Sequence, residues 1–396
     1  MSEWKECKLG DVLVFQRGHD LPKTEMVEGN YPVAGSNGII GFHSKYTTKG
    51  PGITIGRSGN IGTPHFYKNN FWAHNTVLYV KDFKGNSEIF LYYFLKTIDF
   101  KQFNTGSAVP SLNRNHIHEL LVEVPPLSEQ KSIASVLSSL DNKIDLLHRQ
   151  NATLEKMAET LFRQWFVEED NDDTISQLIS IQNGYAFKSK DFRENGIHGV
   201  IKIKNISDGI IDIEKTDFIE NEIAKSAQER FKIRTGDILI AMTGAEIGKL
   251  GIIPKTNKNL WLNQRVGLLK EKFRGSKYLA YLQLKSEFGQ DYIENTATGS
   301  AQPNISGTGI ENCGFPKLSE KQIKEYSYQI GELFEKVIFN LGQIKTLTEL
   351  RNMLLPKLMS GEIRVESHRD ETSVETNNDT ATLSPVGAAF KTIKHG

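Results

Sequence analysis

Apolar residues recur at alternating intervals of four and three through one stretch of this chain. The positions are Ile133, Leu137, Leu140, Ile144, Leu147, Asn151, Leu154, Ala158, Leu161 and Trp165. A spacing of 3.5 held over more than four heptads predicts a long helix with a coiled-coil seam. The pattern returns 193 residues later, at Tyr326, Ile330, Leu333, Val337, Asn340, Ile344, Leu347, Arg351, Leu354 and Leu358. A Pro followed by Leu-Ser-Glu precedes both stretches, in PPLSEQ at 125–130 and PKLSEK at 316–321. Ser128 and Ser319 are therefore expected N-caps, and Pro356 and Gly361 mark the second helix's end. Helices of about 35 residues would be roughly 50 Å long. Two such helices in a duplicated chain are expected to pack on each other. The seam would set Leu137, Leu140, Ile144, Leu147, Asn151 and Leu154 against Ile330, Leu333, Val337, Ile344, Leu347 and Leu354. Asn151 takes an "a" position, where a buried amide fixes register; Asn340 and Arg351 either do the same or face solvent. The alternative is that each helix belongs to the core of a larger domain. Gly331 and Gly342 interrupt the second helix, at about 1 kcal/mol each relative to Ala.

The segments before the helices have another character. Residues 1–127 and about 171–318 carry short β-branched runs broken by Gly, Asn and Pro, which predicts mixed α/β folding. They also match each other: GITIGRSGNIG (52–62) resembles GDILIAMTGAEIG (236–248), and Trp72 and Trp261 fall in register in NNFWAHNTVLYV and KNLWLNQRVGLLK. TGSAVP at 105–110 reappears as TGSAQP at 298–303. Such a hexapeptide is either a turn delivering the chain to its helix or a phosphate-holding loop, and the two roles are compatible. The predicted order is recognition-type domain 1–127, helix 128–170, second domain 171–318, helix 319–365, and a disordered polar tail 366–396.

Charge sharpens this picture. The whole chain is neutral, with 48 Lys+Arg and 48 Asp+Glu, which argues against a simple basic nucleic-acid binder. Locally the balance differs. Residues 43–84 hold six Lys/Arg against Asp82, and residues 244–285 hold nine against Glu246 and Glu271. Phosphate backbones attract such patches, and Arg, Asn and Gln within them can bond base edges in bidentate fashion. The candidate DNA-contacting residues are Arg57, Ser58, Asn60, Lys68, His74, Asn75, Ser107 and Arg114 in the first domain. In the second they are Thr243, Lys249, Asn263, Gln264, Arg265, Ser300 and Asn304. For any one of them, a solvated surface role is the commoner meaning.

Catalytic patterns are missing. There is no GxxxxGK[ST] loop, GxGxxG turn or GxSxG elbow, no Asn-Pro-Pro-aromatic stretch and no Pro-Asp dipeptide. His116 and His118 are expected on the surface. Cys7 and Cys313 are the only cysteines; they form no metal-like spacing and fit a reducing compartment. No run is long and apolar enough for a membrane span, and the first residues lack a signal-peptide core. The expected location is the cytoplasm, with no membrane partner.

The doubled TGSA-x-P, the doubled P-x-L-S-E helix opening and LLPKLMSGEIRV at 354–365 together resemble the specificity subunit of type I restriction–modification enzymes, over about residues 1–365. The resemblance implies two target-recognition domains and two spacer helices packed antiparallel. Each domain would read one half of a bipartite, asymmetric double-stranded DNA site, with the helices as a ruler. The helices would also dock two methyltransferase subunits, and through them translocase–nuclease subunits. S-adenosylmethionine, ATP and Mg would sit on those partners, with no cofactor or metal on this chain and no catalysis by it. A stand-alone nucleic-acid binder and a coiled-coil scaffold remain the competing readings.

Overall fold

The computed structural model describes residues 3–103, 111–166, 169–207, 209–299 and 302–365. Two helices dominate it, Leu127–Phe166 and Glu320–Met359, each of 40 residues and so about 60 Å long. They are longer than the sequence suggested, for reasons found at their ends. The central helix opens at Leu127, where Gln130 N donates to Pro126 O, so Ser128 lies inside the first turn rather than capping it. Ser319 does cap the C-terminal helix, its hydroxyl accepting from Gln322 N. Pro356 sits within that helix. The carbonyl it leaves without a donor belongs to exposed Asn352, where water can bond it. The stop is Gly361, whose φ of 73° is the left-handed conformation that ends helices.

The helices run antiparallel. Asn151 meets Asn340, Trp165 stacks on Tyr326 with ring centroids 4.4 Å apart, and Arg351 meets Asp141. Leu137, Leu147, Asn151, Ile330 and Val337 are buried, while Leu140, Ile144, Leu154, Leu333, Ile344, Leu347 and Leu354 are half-buried. Asn340 is fully buried and Arg351 is paired, so neither takes the solvent-facing option.

The helix ends also serve the domains. Ile133, Ala134 and Leu137 of the central helix, with Leu358 and Met359 of the C-terminal one, complete the first domain's core. Ala158 and Phe162, with Ile323, Ile330, Phe334 and Ile338, complete the second's. Coiled-coil and core-helix packing are therefore combined, a globular domain enclosing each end of the pair. Gly275, with φ 83°, lies where a Cβ would come 2.5 Å from Ser327 O, beside Gly331. The close approach of helix Ser276–Lys285 to the C-terminal helix thus falls at two glycines.

The domains share one frame. In the first, Val14–Arg17 pairs with Val77–Asp82, then Gly52–Gly56, then Pro64–Tyr67. In the second, Ile179–Asn183, Val266–Glu271, Ile238–Ala241 and Leu250–Ile252 repeat that order, and two further strands extend the sheet. A second sheet holds Tyr31–Gly35 parallel to Trp72–Ala73, matched by His198–Ile201 parallel to Asn259–Leu262. Near the first domain's end of the helix pair, the segment after the C-terminal helix packs back on the first residues and on the central helix's first turn. Arg364 lies 3.2 Å from buried Glu129, its guanidinium over the Trp4 ring.

Candidate nucleic-acid interface

Three turns converge in the first domain. The chain leaves strand Val14–Arg17 through Gly18, where a Cβ would fall 2.1 Å from His74 O; only glycine lets the backbones approach that closely. Arg57 follows strand Gly52–Gly56, its N–H donating to Thr76 O and its carbonyl accepting from Leu112 N. Asn113 caps the short helix Arg114–His118. Together these turns enclose an open cleft of about 1140 Å³, lined by Arg17, His19, Asp20, Arg57, Asn113 and Arg114 among others.

The cleft is cationic and preorganised. Arg57 Nε donates to Asn75 O at 3.1 Å. Burial, and then the like charge of Arg17, pull the pKa of Arg57 down, while Asp20 opposes them. Arg17 pairs with Asp20 at 3.6 Å, and Asn75 Nδ2 donates to the same carboxylate. These contacts aim the guanidiniums while leaving donors for a bound anion or base edge.

The first domain's candidates divide. Arg57 and Arg114 share the cleft. Ser58 bridges to Ser111 at its edge. Asn60 and Lys68 are exposed on turns and do not line it. His74 is half-buried, its Nδ1 3.0 Å from Thr76 Oγ1, and Asn75 holds Asp20. Ser107 lies outside the described residues. His118, expected on the surface, is half-buried with Nε2 accepting from Phe15 N at 3.0 Å. Burial, then Arg114, lowers its pKa, which favours that neutral acceptor form.

The second domain builds the same junction. Gly184 approaches Asn263 O as Gly18 approaches His74 O. Met242 N donates to Arg265 O, and Ile305 N to Met242 O. Thr243 bridges to Asn304, as Ser58 does to Ser111. Gln264, Arg265 and Asn304 are exposed there beside Asn183. Asn263 is buried, with Oδ1 accepting from Arg265 N, so it shapes the turn rather than presenting an edge. Lys249 pairs with Glu246, and Ser300 lies outside the described residues. The basic excess of 244–285 is partly spent elsewhere. Lys258 meets Glu214, Arg274 meets Glu335 and Lys285 meets Glu159, all three acids lying outside that window.

Arg17, His19, Asp20 and Asn113 of the cleft, and Asn183 in the second junction, were not among the candidates. A signal existed: Gln16-Arg17-Gly18 and Gln182-Asn183-Gly184 repeat one Gln-x-Gly turn at the end of equivalent strands. Among the described residues, no cluster of three or more His, Cys, Asp or Glu could hold a metal ion, and no helix is long and apolar enough to cross a membrane.

Comparison with known proteins places this architecture. The family model described as "Type I restriction modification DNA specificity domain" matches residues 1–156 and 169–336. The MjaVIII specificity subunit of Methanocaldococcus jannaschii is 23% identical, with 92% of this chain and 94% of that protein covered. The HindI specificity subunit of Haemophilus influenzae is also 23% identical, covering 92% and 100%. Among solved structures, the S subunit of the type I restriction–modification system from M. genitalium superposes with a TM-score of 0.66 at 18% identity, covering 90% and 96%.

Proposed function

Because this chain belongs to the type I restriction–modification DNA specificity family and is a specificity subunit, we propose that its two three-turn junctions each read one half of a bipartite, asymmetric DNA site and that the chain itself catalyses nothing. The observation that carries this reading is the cleft of Arg17, Arg57 and Arg114, on a frame that the second domain repeats with other side chains. Guanidiniums held at a cleft wall suit guanine O6 and N7, and the amides of Asn183, Gln264 and Asn304 suit adenine.

The helix pair sets the distance between the two readers. Each helix is about 60 Å long, and a turn of B-DNA is about 34–36 Å, so the half-sites lie about one turn or more apart. The exposed sides of the helices, clear of both domains, offer two related surfaces for two methyltransferase subunits, through which the translocase–nuclease subunits join. S-adenosylmethionine, ATP and Mg belong to those partners. Partner coverage of phosphates also accounts for a DNA reader with no net charge.

The test is methylation by purified components. The chain alone should neither methylate nor cut DNA, and a cognate methyltransferase subunit should gain site-specific adenine methylation on adding it. Methylation or cleavage by the chain alone would overturn the reading.

A further inference from the structure

The duplication relates the two helices by an approximate two-fold axis, and their polar contacts violate it. Shifting by 193 residues turns the Leu147–Ile344 layer into the Asn151–Asn340 layer, since 151 corresponds to 344 and 340 to 147. The first layer is apolar. The second buries two amides joined by one hydrogen bond, Asn340 Nδ2 to Asn151 Oδ1 at 2.8 Å. Asn151 Nδ2 and Asn340 Oδ1 have no partner among the described residues. A half-satisfied buried amide pair is a poor way to gain stability. The same shift carries Asp141 to Phe334 and Arg351 to Ala158. Arg351 Nη1 meets Asp141 at 2.7 Å, and Tyr93 donates its hydroxyl to the same carboxylate at 2.6 Å. Phe334 and Ala158, their counterparts, are buried and apolar. The remaining layers keep the symmetry: Leu137 opposite Leu354 matches Leu161 opposite Ile330, and Ile144 opposite Leu347 matches Leu154 opposite Val337.

We propose that these two polar layers are a pairing code: the seam of the central helix accepts a C-terminal-type helix and rejects a second central helix. If two central helices paired, each Asn151 would face a Leu147, and each Asp141 would lose its guanidinium. If two C-terminal helices paired, each Asn340 would face an Ile344, and each Arg351 would lie against an apolar wall. Burying an amide against an apolar side chain, and leaving a part-buried charge without its counter-ion, disfavour both like pairs. Single polar positions select partners in this way in other coiled coils. The tether already favours pairing within one chain. The code acts when two chains fold side by side, because the central helix is synthesised first and its seam is open until the second appears. It goes beyond the DNA reading and does not depend on it. Combined with that reading, it keeps two different readers on each ruler.

The test uses the full chain with a protease site placed in the exposed connection at residues 169–172 and cut after folding. The two halves differ in mass, so native mass spectrometry separates like from unlike pairs. The mixture is held until exchange with a heavy-isotope copy is complete. Pairs that do not exchange are brought to equilibrium by unfolding in urea and dilution. The parent halves should give unlike pairs only. Substituting Asn151→Ile, Asn340→Leu, Asp141→Ala and Arg351→Ala should raise like pairs toward the random share of about half, with Asn151→Ile/Asn340→Leu alone falling between. Random pairing of the parent halves, or strictly unlike pairing of the fourfold variant, would overturn the proposal.

Discussion

Where the first domain places Arg57, the second has Met242; at Arg17 it has Asn183, at Asp20 Ala186 and at Arg114 Gly307. Conversely, Arg265 in the second stands where the first has Thr76. These pairs follow from shared backbone bonds, Arg57 N to Thr76 O matching Met242 N to Arg265 O. The backbone junction is held constant by Gly18 and Gly184, while the side chains on it are exchanged almost completely. A constant frame thus supports the fold in both domains, and the exchanged turn residues are where the proposed reading places specificity. One junction concentrates guanidiniums and the other amides, an arrangement suited to two unlike half-sites.

Exchange of a whole domain should have the largest effect. Replacing residues 1–127 with the equivalent module of another specificity subunit should change one half of the methylated motif completely and leave the other and the gap intact. Methylome mapping reads this directly, and a change in both halves would mean the readers are not independent.

Next come single contacts. Arg57→Ala or Arg114→Ala should each weaken binding to the cognate site by about 1–3 kcal/mol, or about 5- to 150-fold, and relax the first half-site only. Gln264→Ala should do the same for the second. Lys68→Ala, outside the cleft, should weaken binding to all sequences alike, with a shallower salt dependence. Titrations on duplexes altered in one half distinguish these cases.

A smaller effect concerns the helices. Arg351→Ala removes the partner of Asp141 in a pair about one-quarter exposed (26% and 28%), so after solvent screening the loss should be about 1–2 kcal/mol. Asn151→Leu with Asn340→Leu should be near neutral or slightly stabilising, because the amide pair is half-satisfied. Denaturant midpoints at constant slope measure both.

The smallest contrast is between the two cysteines. Burial pushes the Cys313 thiol up to about 12. At pH 8 it is therefore protonated as well as enclosed and should resist maleimide until the second domain unfolds. Cys7, half-exposed with a thiol raised by burial and Asp11, should react slowly but first. Mass-resolved labelling reports the order.

The helix pair was legible because a 3.5-residue repeat is written in consecutive residues. The amide at an "a" position marked its own layer in the same way. The domains' grip on the helices was not legible, since Phe162, Ile323, Phe334 and Ile338 lie off the seam and only the fold supplies what covers them. The cleft was half legible. Arg57 stands in the basic window 43–84 and Arg114 shortly after the hexapeptide at 105–110, but Arg17 lies outside both and joins them through three turns far apart in sequence. The basic count of the second window misled because Lys258, Arg274 and Lys285 reach acids distant along the chain. Asn263 misled because residue type suggests a base edge, whereas burial assigns it to its own turn.

The most direct test of the central claim is single-molecule methylation mapping of DNA from cells expressing this chain with a cognate methyltransferase subunit, against the subunit alone. One new methyladenine motif with two unlike halves and a fixed gap is expected, with loss of specificity in only one half for Arg57→Ala. A palindromic motif, or one in which Arg57→Ala alters both halves, would contradict that claim.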